Sequence, residues 1–248
     1  MRHPLRGPYR YVFLDIGETL VRLEPPLHVV LAEEASRLGA RVALPAVQRR
    51  AAAAYRATAT EPSARRFTLT ADSSSAFWRG LYAELGREFG VRDVESFSAV
   101  VFRRCTRFES YAVVSGGVDV LRRLNRMGLR VVAVSNWEGW LPKLLSWLGL
   151  EPFLQAQAVS GLVGAEKPDP AIFAWALRRI RAKPAQVVHV GDSYALDVEG
   201  ARAAGLDAIW LTDDAPADPG CPVIGRLDEL PAVLRPYVDR PAWALPDA

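Results

Sequence analysis

Reactive side chains follow or interrupt apolar segments at four places along this 248-residue chain. Asp15 follows the run YVFL, Ser135 ends the run RVVAVS, Asp192 follows VVHVG, and Lys167 lies in the segment GAEKPDP. Carboxylates can act as nucleophiles or as ligands of hard cations such as Mg²⁺. A lysine can neutralise an anion, and a hydroxyl can donate a hydrogen bond to it. Brought together, these groups could bind and attack an anionic substrate.

The elements that would position these groups alternate between strands and helices. We predict strands at 11–14, 130–135, 156–160, 187–190 and 208–211, and helices at 118–127, 141–148, 171–180, 196–204 and 227–234. Asp169 and Pro170 are a favourable cap and first-turn pair for the helix at 171–180. Such alternation predicts an α/β fold with a Rossmann-like parallel sheet and helices on both faces. Ligands bind outside the carboxyl ends of the strands in such sheets, where the reactive groups occur.

A different kind of sequence separates the first strand from this alternation. Residues 23–113 carry little strand signal and predict helices at 27–38, 45–60, 75–89 and 94–107, with a polar connection at 68–75. We therefore expect an all-helical cap domain at 23–113, inserted into a core domain formed by 1–22 and 114–248.

Composition excludes several classes of protein. The formal net charge is +3, and arginine supplies all but three of the 31 basic residues without collecting in one basic arm, so we expect no nucleic-acid binding. Two cysteines and three scattered histidines predict no zinc site. His189, inside an apolar strand, is expected to be a packed core residue. With no signal peptide or membrane span recognised, we expect a cytoplasmic protein without membrane partners.

Four motifs in order resemble those of the haloacid dehalogenase superfamily of aspartyl-nucleophile hydrolases. The segment DIGET at 15–19 resembles the first motif, DxDx[TV], and Ser135 in VVAVSN resembles the second. Lys167 in KPDPAIF resembles the third, and GDSYALD at 191–197 matches the fourth, GDxxxxD. The helical insertion lies where the family carries a helical cap that closes over the core.

The resemblance implies a phosphatase site that acts on a small phosphorylated metabolite with Mg²⁺. Asp15 would be the nucleophile and form an aspartyl-phosphate. Asp15, Asp192 and the backbone carbonyl of Gly17 would bind the metal. Lys167 and Ser135 would contact the phosphoryl group.

Three further positions complete the implied site. The backbone N–H at Asn136 would join Ser135 and Lys167 in binding phosphate. Thr19 and Asp197 would support the site by orienting the first loop and the lysine or the metal ligands.

The sequence departs from the family pattern at Gly17, where phosphatases carry an aspartate that protonates the leaving oxygen and later activates water. General acid–base catalysis typically contributes about 10²–10⁴-fold, so we expect slow turnover of substrates with poor leaving groups. Two alternatives remain open: a metal-independent dehalogenase-like hydrolase, and a non-catalytic relative that retains only the phosphate pocket.

Overall fold

The computed structural model describes residues 5–60 and 66–238, which divide into two compact units. One unit combines the described residues up to 21 with those from 113 onward, and the other comprises those of 22–112. The first unit is an α/β domain, and the second is mainly helical.

The α/β unit is built on a parallel sheet. Its strands are β1 (Tyr11–Leu14), β4 (Arg130–Ser135), β5 (Leu154–Val159), β6 (Val187–Gly191), β7 (Asp207–Leu211) and β8 (Val223–Ile224). Within the described residues their order across the sheet is β5-β4-β1-β6-β7-β8, and every neighbouring pair is parallel. The predicted Rossmann-like α/β fold is confirmed.

Helices lie between these strands and after the last of them. They are α5 (Gly117–Arg126), α6 (Leu141–Trp147), α7 (Ser160–Val163), α8 (Pro170–Ile180), α9 (Gly200–Ala203) and α10 (Leu230–Leu234). Asp169 caps α8 through a 2.9 Å hydrogen bond from the Ala171 N–H, with Pro170 in the first turn as predicted. The capping bond satisfies one of the backbone donors that a helix start leaves unpaired.

The strands at the centre of the sheet are buried on both faces, as expected where helices cover both sides. All five residues of β6 and five of the six in β4 are buried. Phe13 and Val132 from the sheet pack with Ile172 and Phe173 from α8 in one apolar cluster. This packing fixes the strands whose ends carry the reactive groups.

The helical unit has its own apolar core. Its described helices are α1 (Leu27–Arg37), α2 (Leu44–Thr60), α3 (Ala71–Glu88) and α4 (Val94–Cys105). Leu31, Val47, Leu85 and Phe97, one from each helix, are buried in a shared cluster. Two short strands, β2 (Val21–Leu23) and β3 (Tyr111–Val113), pair where the chain passes between the units.

Several predicted boundaries differ from the structure. The predicted polar connection at 68–75 is wrong, because α3 begins at Ala71 and Phe67–Leu69 form a short 3₁₀ turn. Thr70 and Ser73 exchange side-chain hydrogen bonds with each other's backbone N–H groups. This reciprocal capping makes a run of polar residues a helix start rather than a loop.

Three short strands were not predicted, and two predicted helices are only partly α-helical. Strands β2, β3 and β8 have two or three residues each, too few to show an apolar alternation. The helix predicted at 196–204 is α-helical only in α9, after a π-helical turn over Tyr194–Glu199. The helix predicted at 227–234 begins as a 3₁₀ turn, and α10 covers only its second half.

Across the parts of the chain that are described, every helix is too short or too polar to span a membrane. The cytoplasmic location expected from the sequence stays a prediction.

Candidate active site

The reactive groups at 15, 135 and 192 lie at the carboxyl ends of three adjacent strands. Asp15 directly follows β1, Ser135 is the last residue of β4, and Asp192 directly follows β6. The chain leaves β1 toward β4 on one side and leaves β6 toward β7 on the other. Connections that diverge in this way open a crevice at the carboxyl edge of the sheet. Asp15 and Asp192 both lie at that edge, and the Asp15 N–H donates to the Val190 carbonyl at 2.9 Å.

Lys167 joins two carboxylates in the interior of this edge. Its side chain is 3% exposed, and Nζ donates to Oδ1 of Asp15 at 2.5 Å and to Oδ1 of Asp197 at 2.6 Å. Burial by itself would lower the pKa of Lys167, but the charges of the two carboxylates outweigh it and raise that pKa. Lys167 is therefore a cation at neutral pH, with its charge directed at Asp15.

Asp197 is held by a wide turn and by close packing. It lies in a π-helical turn over Tyr194–Glu199, in which the Val198 N–H reaches back to the Ser193 carbonyl. The Ser193 N–H donates to Asp197 Oδ2 at 3.0 Å. A Cβ on Gly191 would lie 2.2 Å from Asp197 Cγ, so only glycine at 191 leaves room for this carboxylate.

A third donor reaches Asp197 from β6. His189 Nε2 lies 2.8 Å from Asp197 Oδ1, the oxygen that also accepts from Lys167. Burial alone would raise the pKa of Asp197, but Lys167 and His189 lower it below its ordinary value. Asp197 is therefore an ionised carboxylate that only accepts hydrogen bonds.

The pKa values of Asp15 and Asp192 shift in the opposite direction to that of Asp197. Burial raises the pKa of Asp15, and Lys167 only partly offsets this. Burial and the neighbouring charges of Asp15 and Asp197 raise the pKa of Asp192 well above its usual range. Oxygens of the three carboxylates lie within 4.8 Å of one another. Crowded carboxylates of this kind favour a bound cation, because its charge relieves their desolvation and mutual repulsion.

The donor set fits a hard divalent cation. Carboxylate and carbonyl oxygens are the ligands that Mg²⁺ prefers in proteins. The oxygens of Asp197 already accept three hydrogen bonds, whereas the Asp192 carboxylate accepts one from the described residues, a long bond of 3.4 Å from Thr19 Oγ1. Asp15 and Asp192 are therefore the better placed ligands, and Thr19 contacts the second of them.

The two polar residues at the end of β4 have different contacts. Ser135 is buried, and its Oγ lies 3.4 Å from Asp15 Oδ1. Asn136 accepts from the Lys167 N–H at 2.6 Å and donates to the Lys167 carbonyl at 2.9 Å. The side chain of Asn136 thus positions the backbone of Lys167, a role that the sequence analysis did not assign to it.

Gly17 lies in the loop after β1 and forms an isolated bridge with Val21. Position 17 contributes no carboxylate, and Glu18 beside it is exposed, with a left-handed φ of 55°. The Glu18 N–H donates to the Val21 carbonyl at 2.9 Å, which closes this tight loop.

Sequence reasoning placed Asp15, Lys167, Asp192 and Asp197 at one site, and the structure brings their side chains together. It missed the contact of His189 with Asp197, because an isolated histidine in an apolar strand is usually a packing residue. Its position two residues before the glycine of GDSYALD, on the strand that ends at the site, was the available signal.

The fold and the charged cluster define a Rossmann-like α/β protein with a site at the carboxyl edge of its parallel sheet. A family model described as a haloacid dehalogenase-like hydrolase matches residues 9–205, and the chain belongs to that family.

Similar proteins include named hydrolases. Haloacid dehalogenase-like hydrolase domain-containing protein 3 of Bos taurus is 31% identical over 88% of this chain and 87% of its own length. A phosphoserine phosphatase of Thermus thermophilus is 27% identical over 82% of this chain and 88% of its own. YfnB of Bacillus subtilis, described as a HAD-hydrolase bound to magnesium, superposes with a TM-score of 0.70 at 21% identity, covering 91% and 98% of the two chains. This last likeness concerns the fold alone.

Proposed function

We propose that this protein is a Mg²⁺-dependent phosphatase that hydrolyses small phosphorylated metabolites through an aspartyl-phosphate on Asp15. The observation that carries the proposal is the pair of bonds from Lys167 Nζ, at 2.5 Å to Asp15 and 2.6 Å to Asp197, beside the Asp192 carboxylate. A buried cation next to one carboxylate of an acidic cluster suits an anionic substrate. The phosphoserine phosphatase among the similar proteins supports this substrate class.

Asp15 is the nucleophile in this proposal. Its Oδ1 lies within reach of Lys167 and Ser135, and Oδ2 accepts no hydrogen bond from the residues described. A carboxylate oxygen attacks phosphorus, the ester P–O bond breaks, and the leaving alkoxide takes a proton to become an alcohol. Water then attacks phosphorus, which releases phosphate and regenerates the Asp15 carboxylate.

The surrounding residues bind and orient. Lys167 neutralises phosphoryl oxygens and lessens their repulsion from Asp15, while Ser135 Oγ and the Asn136 N–H donate hydrogen bonds to them. Asp197 orients the lysine. Asp15, Asp192 and the Gly17 carbonyl would hold Mg²⁺. When bound, the ion supplies positive charge that neutralises the phosphoryl group.

Gly17 determines which substrates are turned over well. Without a carboxylate at this position, the leaving alkoxide takes its proton from solvent. Esters whose leaving group is stable as an anion, such as aryl phosphates, therefore tolerate Gly17 better than alkyl phosphates do.

The test measures phosphate release from 4-nitrophenyl phosphate with Mg²⁺ and with a chelator. We compare the wild type with Asp15→Asn, and use Asp119→Asn as the control because the Asp119 side chain is 74% exposed. The proposal expects Mg²⁺-dependent release that Asp15→Asn abolishes and Asp119→Asn retains. Folded wild-type protein with no more activity than Asp15→Asn would refute it.

Two further measurements separate the alternatives. Halide release from a 2-haloacid in the presence of chelator would indicate a dehalogenase-like hydrolase. Binding of inorganic phosphate with Mg²⁺, without turnover of either substrate, would indicate a non-catalytic relative. The paired carboxylates Asp15 and Asp192 disfavour the metal-independent reaction, because without a cation they would repel an anionic substrate.

A further inference from the structure

His189 lies in the middle of β6 and is completely buried. Its ring packs edge-on against Phe173, with centroids 5.1 Å apart at 83°. The other residues of β6 before Gly191 are valines. An apolar side chain at 189 would suit this environment, so packing alone does not explain a histidine here.

The hydrogen bonds of the ring are unequal. Nε2 lies 2.8 Å from Asp197 Oδ1, and because an ionised carboxylate only accepts, the ring donates from Nε2. Nδ1 is buried and has no hydrogen-bond partner among the described residues. Leaving a buried polar atom without a partner costs about 1–3 kcal/mol. His189 thus costs folding free energy at Nδ1, and its Nε2 makes one directed contact with Asp197.

That contact falls on the oxygen that also holds the lysine. Asp197 Oδ1 accepts from His189 and from Lys167, and Lys167 donates in turn to Asp15 Oδ1. The Ser193 N–H holds the other oxygen, Oδ2. Donors on both oxygens fix the rotation of the carboxylate about its Cβ–Cγ bond.

We propose that His189 is a positioning residue, which orients Asp197 so that the Lys167 ammonium is shared between Asp197 and Asp15. Without the Nε2–H donor, Asp197 Oδ1 keeps only Lys167 and attracts the ammonium more strongly, which weakens its contact with Asp15. The effect on turnover rests on the proposed phosphatase function, whereas the arrangement of donors does not.

The first arm of the test compares variants that differ in the donor. His189→Gln carries an amide N–H at about the reach of Nε2, His189→Asn is too short, and His189→Met is apolar. Val188→Ala, at the buried neighbouring position of β6, controls for loss of packing.

On 4-nitrophenyl phosphate, we expect His189→Met and His189→Asn to lower kcat about tenfold or more with little change in KM, as loss of one charge-assisted hydrogen bond implies. His189→Gln should recover most of the wild-type kcat. Val188→Ala should keep the wild-type kcat at temperatures below the melting temperature of that variant. Equal losses in the Gln, Asn and Met variants, or no loss in any of them, would overturn the proposal. The Gln and Asn variants decide the question if His189→Met does not fold.

The second arm does not depend on activity. Long-range ¹H–¹⁵N correlations of the His189 imidazole should show a proton on Nε2 in the folded wild type. A ring that carries its proton on Nδ1 and none on Nε2 would overturn the inference whatever the turnover. A wild type that shows the expected ring but releases no phosphate would refute the proposed function and leave the donor arrangement intact.

Discussion

Asn136 binds both backbone polar groups of Lys167: its Oδ1 accepts from the lysine N–H at 2.6 Å, and its Nδ2 donates to the lysine carbonyl at 2.9 Å. These bonds join the end of β4 to the segment before α8. The position of the Lys167 ammonium beside Asp15 therefore depends on Asn136, which directly follows β4.

Asn136→Ala should misplace Lys167. Removing both bonds should lower the free energy of unfolding by about 2 kcal/mol, at roughly 1 kcal/mol for each net hydrogen bond. Turnover of 4-nitrophenyl phosphate should fall at least about tenfold, because the ammonium is no longer fixed against Asp15. Denaturant unfolding and kcat are the two measurements. A loss of stability with unchanged kcat would show that the two Asn136 hydrogen bonds do not position the lysine.

Gly191→Ala should disrupt the cluster of Asp15, Lys167 and Asp197 by displacing the Asp197 carboxylate. The added Cβ would lie 2.2 Å from Asp197 Cγ, so we expect a loss of at least about 2 kcal/mol in the free energy of unfolding, together with loss of phosphate release. Gly80→Ala is the matched control, since Gly80 lies inside α3 and the added Cβ would meet no atom within 4 Å apart from its chain neighbours and the backbone of its own helix. The control should gain about 0.5–1 kcal/mol from helix propensity.

Gly17→Asp should restore the proton-transfer group. Gly17 does not have a positive φ, so its backbone accepts an L side chain. We expect turnover of an alkyl phosphate to rise about 10²-fold or more, and that of 4-nitrophenyl phosphate to change much less. Rates measured over a series of leaving groups check this. Equal rate changes for both classes would indicate that position 17 does not handle the proton.

Asp192→Asn should stabilise the metal-free protein while abolishing its response to Mg²⁺. Burial and the charge of Asp15 raise the pKa of Asp192, so its ionised form opposes folding at neutral pH. Neutralising it should raise the melting temperature by a few degrees, which corresponds to about 1 kcal/mol for a chain of this size. Thermal unfolding with and without Mg²⁺ tests both parts. A wild-type melting temperature that does not change when Mg²⁺ is added would contradict the metal assignment.

The Asp197 carboxylate should make folding sensitive to acid. Although burial opposes it, Lys167 and His189 lower the pKa of Asp197 below the ordinary value of about 3.9. The resulting stabilisation is present above that value and is lost as the pH falls through the lower folded value. Asp197→Asn should therefore be less stable at pH 7, and its free energy of unfolding should depend less on pH between about 4 and 2.

The sequence alone determined the α/β fold class and which strand ends carry reactive side chains. Apolar runs followed by Asp15, Ser135 and Asp192 predict parallel strands, and strands of such a sheet end at a common edge. The helical content of 23–113 was equally readable, because its apolar residues recur at helical spacing. These features depend on local pattern and on a topological rule, and both are encoded in short stretches of sequence.

Only the tertiary structure decided how the charged groups share their partners. Which oxygen of Asp197 meets Lys167, and that His189 donates to the same oxygen, depends on packing between β6, the turn at 194–199 and the segment before α8. The start of α3 and the attachment of Asn136 to the Lys167 backbone likewise depend on individual side-chain hydrogen bonds. Periodicity reports which face of an element is buried, but contacts between residues far apart in the chain form only when those elements pack.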